Sequence, residues 1–177
     1  VVKEFQEEYY CRVALVVDTF IPRRRRPPPG GWPQLEAVVS LSAAVADAMS
    51  RGEYLIDIFA AGPQLYVFRG GRHTAHFDSI LEILACVDAC RTDPFETLAP
   101  ALAEELPNLS TVICVLTDWD QPRRELVRSA VEAGADVKLV VVRDGPTRLP
   151  VEAETAWAGE VNVLAPRDVL RGAVEAL

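Results

Sequence analysis

Two aspartates, each closing an apolar run, are the residues in this chain best placed to do chemistry. Arg12-Val13-Ala14-Leu15-Val16-Val17-Asp18-Thr19 and Val112-Ile113-Cys114-Val115-Leu116-Thr117-Asp118 both read as buried strands that end in a carboxylate. In an open α/β sheet, ligands bind in the crevice beyond the strand carboxyl ends. Two carboxylates delivered there suggest a divalent cation, a hard ion that takes oxygen ligands. The residues after Asp18 argue the other way. Phe20, Pro22 and the run Arg23-Arg24-Arg25-Arg26 stand where hydroxyl side chains would serve such an ion. Asp120 adds a third carboxylate close to Asp118, and that pair could instead do acid–base work.

The elements that must position these residues can be read from the apolar period, which switches regularly between strand-like and helix-like. Residues 2–10 read as an extended lead-in or edge strand, and 12–18 as the first central strand. Residues 20–33, rich in proline and arginine, predict an exposed loop. Gln34–Arg51 has helix periodicity with Leu35, Val38, Val39, Leu41, Ala44, Val45 and Met49 inward, and Gly52 stops it. Tyr54–Ala60 and Gln64–Arg69, joined by Ala61-Gly62-Pro63, predict a hairpin and hence one antiparallel edge strand. Asp78 is placed to cap a helix running to about Ala89, and Pro94 with the segment around Thr97 starts a further helix that runs through Leu106. After Val112–Asp118 come a helix from Pro122 to Gly134, a strand Val137–Val142, a strand Val161–Leu164 and a helix Pro166–Leu177. The expectation is a three-layer α/β fold: a mostly parallel, doubly wound, Rossmann-like sheet with helices on both faces. All of 1–177 reads as one domain.

Composition narrows the function. The net charge is −8, with the four arginines at 23–26 as one local basic block; such a chain lacks the broad basic face that nucleic acid requires. No apolar run approaches the ~20 residues of a membrane span. The chain opens at Val1 inside a strand-like segment, so it reads as an excised piece, with any membrane segment outside it. Cys11, Cys86, Cys90 and Cys114 include no C-x-x-C, and are expected to be buried thiols in a reducing compartment. His73 and His76 sit in a glycine-rich connection without further ligands nearby.

The stretch Val2-Lys3-Glu4-Phe5-Gln6-Glu7-Glu8, succeeded by Val13-Ala14-Leu15-Val16-Val17-Asp18-Thr19, resembles the bacterial domain-of-unknown-function family 58. Leu116-Thr117-Asp118 and Thr97-Leu98-Ala99-Pro100-Ala101-Leu102 are similar to later landmarks of that family. The resemblance implies a von Willebrand factor A-like fold with a metal-ion-dependent adhesion site at the sheet top. That site uses D-x-S-x-S, a threonine from a middle loop and a second aspartate. On this resemblance Asp18 matches the first aspartate and Asp118 the last, Phe20 and Pro22 replace the two serines, and the threonine position falls near Glu96 and Thr97, with Thr92 also open. The implied site is degenerate, with no cofactor and a weakly held Mg²⁺ at most. Charge balance between the carboxylates suggests that an arginine of the 23–26 run swings over to neutralise them.

The resemblance also implies a non-catalytic protein-interaction module that works with a MoxR-type AAA+ ATPase, as the cytoplasmic domain of a membrane-anchored protein. The partner would dock on the strand-end loops 19–32, 91–96 and 118–122, with Arg23–Arg26, Trp32 and Trp119 as contacts and Thr19 and Asp120 beside the aspartates. Packing against the next helix is the bland account of Trp32. Two other classes of function are poorly supported. A hydrolase needs a nucleophile with a histidine base, and both histidines lie in one connection. Nucleotide binding lacks G-x-G-x-x-G and G-x-x-x-x-G-K-[ST].

Overall fold

The computed structural model describes residues 11–22, 26–52, 54–61, 64–70, 75–151 and 155–174. The chain runs β1 (Cys11–Asp18), α1 (Pro33–Ser50), β2 (Tyr54–Ala61), β3 (Leu65–Phe68), α2 (Ala75–Cys86), α3 (Phe95–Glu105), a 3₁₀ turn at Leu106–Asn108, β4 (Thr111–Leu116), α4 (Gln121–Glu132), β5 (Asp136–Val142), α5 (Thr155–Ala158), β6 (Val161–Leu164) and α6 (Pro166–Leu170). The strands form one sheet in the order β3-β2-β1-β4-β5-β6. All neighbours are parallel except β2 and β3, which pair antiparallel. The expected mostly parallel sheet with one antiparallel edge strand is therefore what forms.

Strand alternation decides what each face carries. Val13, Leu15 and Val17 of β1 pack with α1 and α2, alongside Ile56 and Ile58 of β2. Ala14 and Val16 pack on the opposite face with Leu98 and Leu102 of α3 and Leu126 and Val127 of α4. Burial of each Leu, Ile or Val contributes about 1.5–3 kcal/mol, so register is firmly set. Asp18, two residues after Val16, is thereby aimed toward α3 and α4.

Several boundaries differ from the sequence expectation for identifiable reasons. β4 ends at Leu116 rather than Asp118, because Thr117 turns its N–H and hydroxyl toward Asp18. α2 starts at Ala75, so Asp78 lies in its first turn rather than capping it. It also stops at Cys86, freeing Cys90 to pair with the residues after β1: Ile21 N–H donates to Cys90 O at 2.9 Å, and Cys90 N–H to Thr19 O at 2.9 Å. That pairing corrects the picture of 20–33 as wholly exposed, since Ile21 is buried while residues 26–30 are exposed. α6 is shorter than Pro166–Leu177. Gly172, at φ +68, closes it with bonds from Gly172 N–H to Val169 O and from Ala173 N–H to Asp168 O, a Schellman stop. Gly134 ends α4 in the same way.

On α1, Leu35, Val38, Leu41 and Val45 are buried as expected, together with Ala37, Ser42 and Ala46, whereas Ala44 faces solvent. The cysteines divide: Cys90 and Cys114 are buried, but Cys11 and Cys86 are exposed free thiols, contrary to expectation. His76 lies in α2 rather than in the connection before it. The lead-in 2–10, Arg23–Arg25, Gly62, Pro63, His73 and the last three residues lie outside the described residues.

Candidate functional site

β1 delivers Asp18 to the carboxyl end of the sheet, fully buried at 0% exposure. A bare carboxylate there would be costly, so its oxygens must be satisfied. Oδ1 accepts from the Phe20 N–H at 2.9 Å. Oδ2 accepts from the Thr117 N–H at 2.8 Å, the Thr117 hydroxyl at 2.6 Å and Arg123 Nε at 2.7 Å, with Arg123 Nη2 at 2.6 Å. Arg123 projects from the first turn of α4 and is itself 1% exposed. Its Nη1 reaches both oxygens of Asp120 at 2.8 Å, and Nη2 donates to the Thr117 hydroxyl at 3.1 Å. Burial opposes the charge on Arg123. Asp18 and Asp120 outweigh that, so the guanidinium is held above its ordinary pKa.

The aromatic residues complete this arginine pocket. The guanidinium lies 4.7 Å from the centre of the Phe95 ring and 5.7 Å from that of Phe20, within cation–π range. Phe20, which offers no oxygen to an ion, therefore offers a π face to an organic cation. The network continues outward. Arg148 Nη1 meets Asp120 Oδ2 at 3.2 Å and Arg148 Nε meets Asp118 Oδ2 at 3.3 Å, while Arg143 pairs with Asp118. Asp118 Oδ1 also accepts from the backbone N–H of Trp119 at 2.8 Å and of Arg148 at 3.1 Å. Three carboxylates and three guanidiniums thus alternate from the core to the rim.

Of the residues picked out from sequence, Asp18, Asp118 and Asp120 do join one network. Thr19 is buried beside them and its carbonyl holds Cys90. Thr97 does not join: it is exposed in the first turn of α3 and its hydroxyl donates to Pro94 O at 3.0 Å. Trp119, expected at a partner surface, has 0% exposure. Its backbone is fastened on both sides, by Asp118 Oδ1 and by the Leu149 N–H, and its ring joins the core with α3 and α4. Trp32 is half-buried beneath the Arg91 guanidinium at 4.8 Å. Arg26 is exposed, Arg23–Arg25 lie outside the described residues, and the cation seen on Asp18 is Arg123 of α4. Sequence reasoning missed Thr117, Arg123, Arg143 and Arg148. It also missed Gln34, whose Nε2 donates to the carbonyls of Thr117 and Val142 at 2.7 Å each and ties α1 to the ends of β4 and β5.

These residues do not fit a divalent ion of the adhesion-site kind. Asp18 Oδ2 already accepts three hydrogen bonds and lies against a guanidinium, and Oδ1 accepts a fourth, close to the capacity of a whole carboxylate. Among the described residues, no cluster of three or more His, Cys, Asp or Glu is arranged as metal ligands.

No family model matches the sequence, and no curated protein matches it. Solved structures do. The chain is similar to the human COPII-coat protein Sec24c, with a TM-score of 0.56 and 10% identity, over 88% of this chain and 29% of that one. It is similar to the conserved hypothetical protein BatB from Bacteroides thetaiotaomicron, with a TM-score of 0.53 and 13% identity, over 88% and 89%. The D319A mutant of the PilB minor pilin from Streptococcus sanguinis gives 0.51 and 8% over 96% and 61%. This chain thus spans under a third of the coat protein and about three fifths of the pilin. Identities so low speak for the fold alone, and the fold they define is von Willebrand factor A-like. Among the described residues, no helix is long and apolar enough to cross a membrane.

Proposed function

We propose that the chain is a non-catalytic protein-interaction module whose adhesion-type site is degenerate, its cation supplied internally by Arg123. The single observation that carries this reading is the complete engagement of Asp18 by Arg123, Thr117 and the Phe20 N–H. A guanidinium fixed there competes with any ion for the same oxygens, and as part of the same chain it does so at high effective concentration. The non-catalytic part of the reading rests on Asp118 and Asp120. Each is bound to guanidiniums, so neither is a free base. The von Willebrand factor A-like fold supports a protein partner bound at the strand-end rim without a bridging ion.

The nature of that partner rests on the resemblance of Val2–Glu8 and Val13–Thr19. It points to a MoxR-type AAA+ ATPase and to a cytoplasmic domain of a membrane-anchored protein. Two measurements test the proposal. Calorimetry with Mg²⁺ and Mn²⁺ should give no micromolar binding; tight binding abolished by Asp18→Ala would refute the internal-cation reading. A purified MoxR-type ATPase should be retained by the immobilised domain equally with and without divalent ions. No retention in either condition would remove that partner.

A further inference from the structure

The rim does not end at the arginine network. Between α3 and α4 a groove of about 380 Å³ opens beside it, starting at Asp93 and Pro122 at the carboxyl end of the sheet and running down to Leu106 and Ser129. Phe95, Leu102, Leu106 and Leu126 form its floor, each nearly fully buried. Ala99 and Ala103, one helical turn apart on α3, are small enough to let another backbone approach. The charged residues lining it are Asp93, Glu96 and Glu125, all acidic. Two of the three arginines of α4 are turned elsewhere: Arg123 points inward to Asp18, and Arg128 lies over the Trp157 ring at 5.5 Å; the third, Arg124, does not line the groove.

We infer that this groove docks a basic amphipathic helix of a protein partner, with an apolar anchor over Ala99 and Ala103 and Lys or Arg toward Glu96 and Glu125. The inference rests on the interaction-module reading and names the chemistry of its partner. Charge complementarity selects the occupant. A second copy of this chain, net −8, brings the wrong overall sign. By contrast, the larger cleft of about 1020 Å³ at the lower end of β5 mixes Asp136 and Glu160 with Lys138 and so selects no charge. Helix-in-groove recognition uses an apolar stripe for affinity and flanking charges for orientation.

The test is a titration of the isotope-labelled domain with a synthetic Leu/Lys amphipathic helix, monitored by amide NMR. A matched Leu/Glu helix serves as control. Shifts are expected along the facing sides of α3 and α4, absent with the Leu/Glu helix and weakened by salt. Glu96→Lys with Glu125→Lys should weaken binding about tenfold. Ala103→Trp, which fills the groove without altering charge, should do the same by steric exclusion. All three positions are exposed, so the variants keep their fold, and a thermal melt checks it. Shifts spread over every acidic surface, centred on the β5 cleft, or unchanged by the substitutions would overturn the inference. If the ATPase is retained while the peptide finds no groove, the groove is wrong and the module reading stands. If the peptide binds in the groove while no ATPase is retained, the groove stands and that partner falls.

Discussion

Two aspartates on the same face of the sheet are both buried and both held by an arginine, yet they do different jobs. Asp57, in mid-strand on β2, receives Arg12 Nε at 2.6 Å and Nη2 at 3.1 Å from the adjoining strand, and the Gly70 N–H at 2.9 Å. A Cβ on Gly70 would meet Ile56 O at 2.3 Å, so only glycine permits this approach. Asp57 therefore sews the exit of β3 to β2 and β1, and its arginine side chain is 27% exposed. Its hydrogen bond to Asp57 raises the pKa of Arg12, against a smaller opposing effect of burial. Asp18 draws its arginine from 105 residues away, buries it, and passes the charge alternation on to the rim. A buried Asp–Arg pair is thus not in itself a sign of a site. Position at the strand end, with continuation to solvent, is what distinguishes the second.

The largest expected effect comes from that difference. Arg123→Ala leaves Asp18 and part of Asp120 buried without a counter-charge, and should cost about 3–5 kcal/mol in urea denaturation. Pairing Asp18→Asn with Arg123→Met removes both charges and should recover much of the loss. Asp57→Ala should cost less, about 1–3 kcal/mol, because Arg12 can turn its head to water. Equal costs for the two would erase the contrast between an enclosed cation and a half-solvated one.

A third expectation concerns how dry the Asp18 region is. Cys114, on β4 beside it, has its thiol pushed up to about 12, first by burial and then by the charge of Asp18. In the unfolded chain the thiol titrates near ~8.5. The folded value is the higher, so the unfolded state releases its proton first as pH rises. The contribution is whole below ~8.5 and then declines by about 1.4 kcal/mol per pH unit until the folded thiol titrates. Urea midpoints measured between neutral and alkaline pH should fall accordingly, and Cys114→Ala should flatten that part of the fall. An unchanged slope in Cys114→Ala would mean that water already reaches β4 beside Asp18.

What was legible in the sequence divides along the same line. Apolar periodicity with a switch of period located the strands and the edge hairpin, because burial on two faces leaves no other composition for β1 and β5. The acidic strand ends were visible too, since a carboxylate closing an apolar run must sit where a charge can be met. The identity of the cation was not. Arg123 sits in Pro122-Arg123-Arg124-Glu125, which reads as an ordinary solvated first turn; only the packing of α4 on the sheet shows that Arg123 faces inward to Asp18 while Glu125 faces out. Phe20 looked like a missing ligand because its ring has meaning only once Arg123 is beside it. Trp119 looked like an interface anchor because it comes just after a strand. What buries it is the backbone fastening to Asp118 and Leu149, and no local pattern encodes that.

The smallest expected effect lies at the outer end of the network. Arg148 touches both Asp118 and Asp120, but its side chain is 54% exposed. Water and salt screen such a contact, and an exposed pair is worth about 0–1 kcal/mol. Arg148→Ala leaves Asp118 with Arg143 and the Trp119 N–H, and leaves Asp120 with Arg123, so no buried group loses its last partner. The loss in urea denaturation should stay under about 1 kcal/mol and shrink further in high salt. A double-mutant cycle with Arg123→Ala measures how separate the two arginines are. Coupling near zero would mean that the enclosed and the exposed arginines act separately, as their solvent exposure implies. Coupling well above ~1 kcal/mol would mean that the six charged groups respond as one unit, and a partner bound at the rim would then be felt at Asp18.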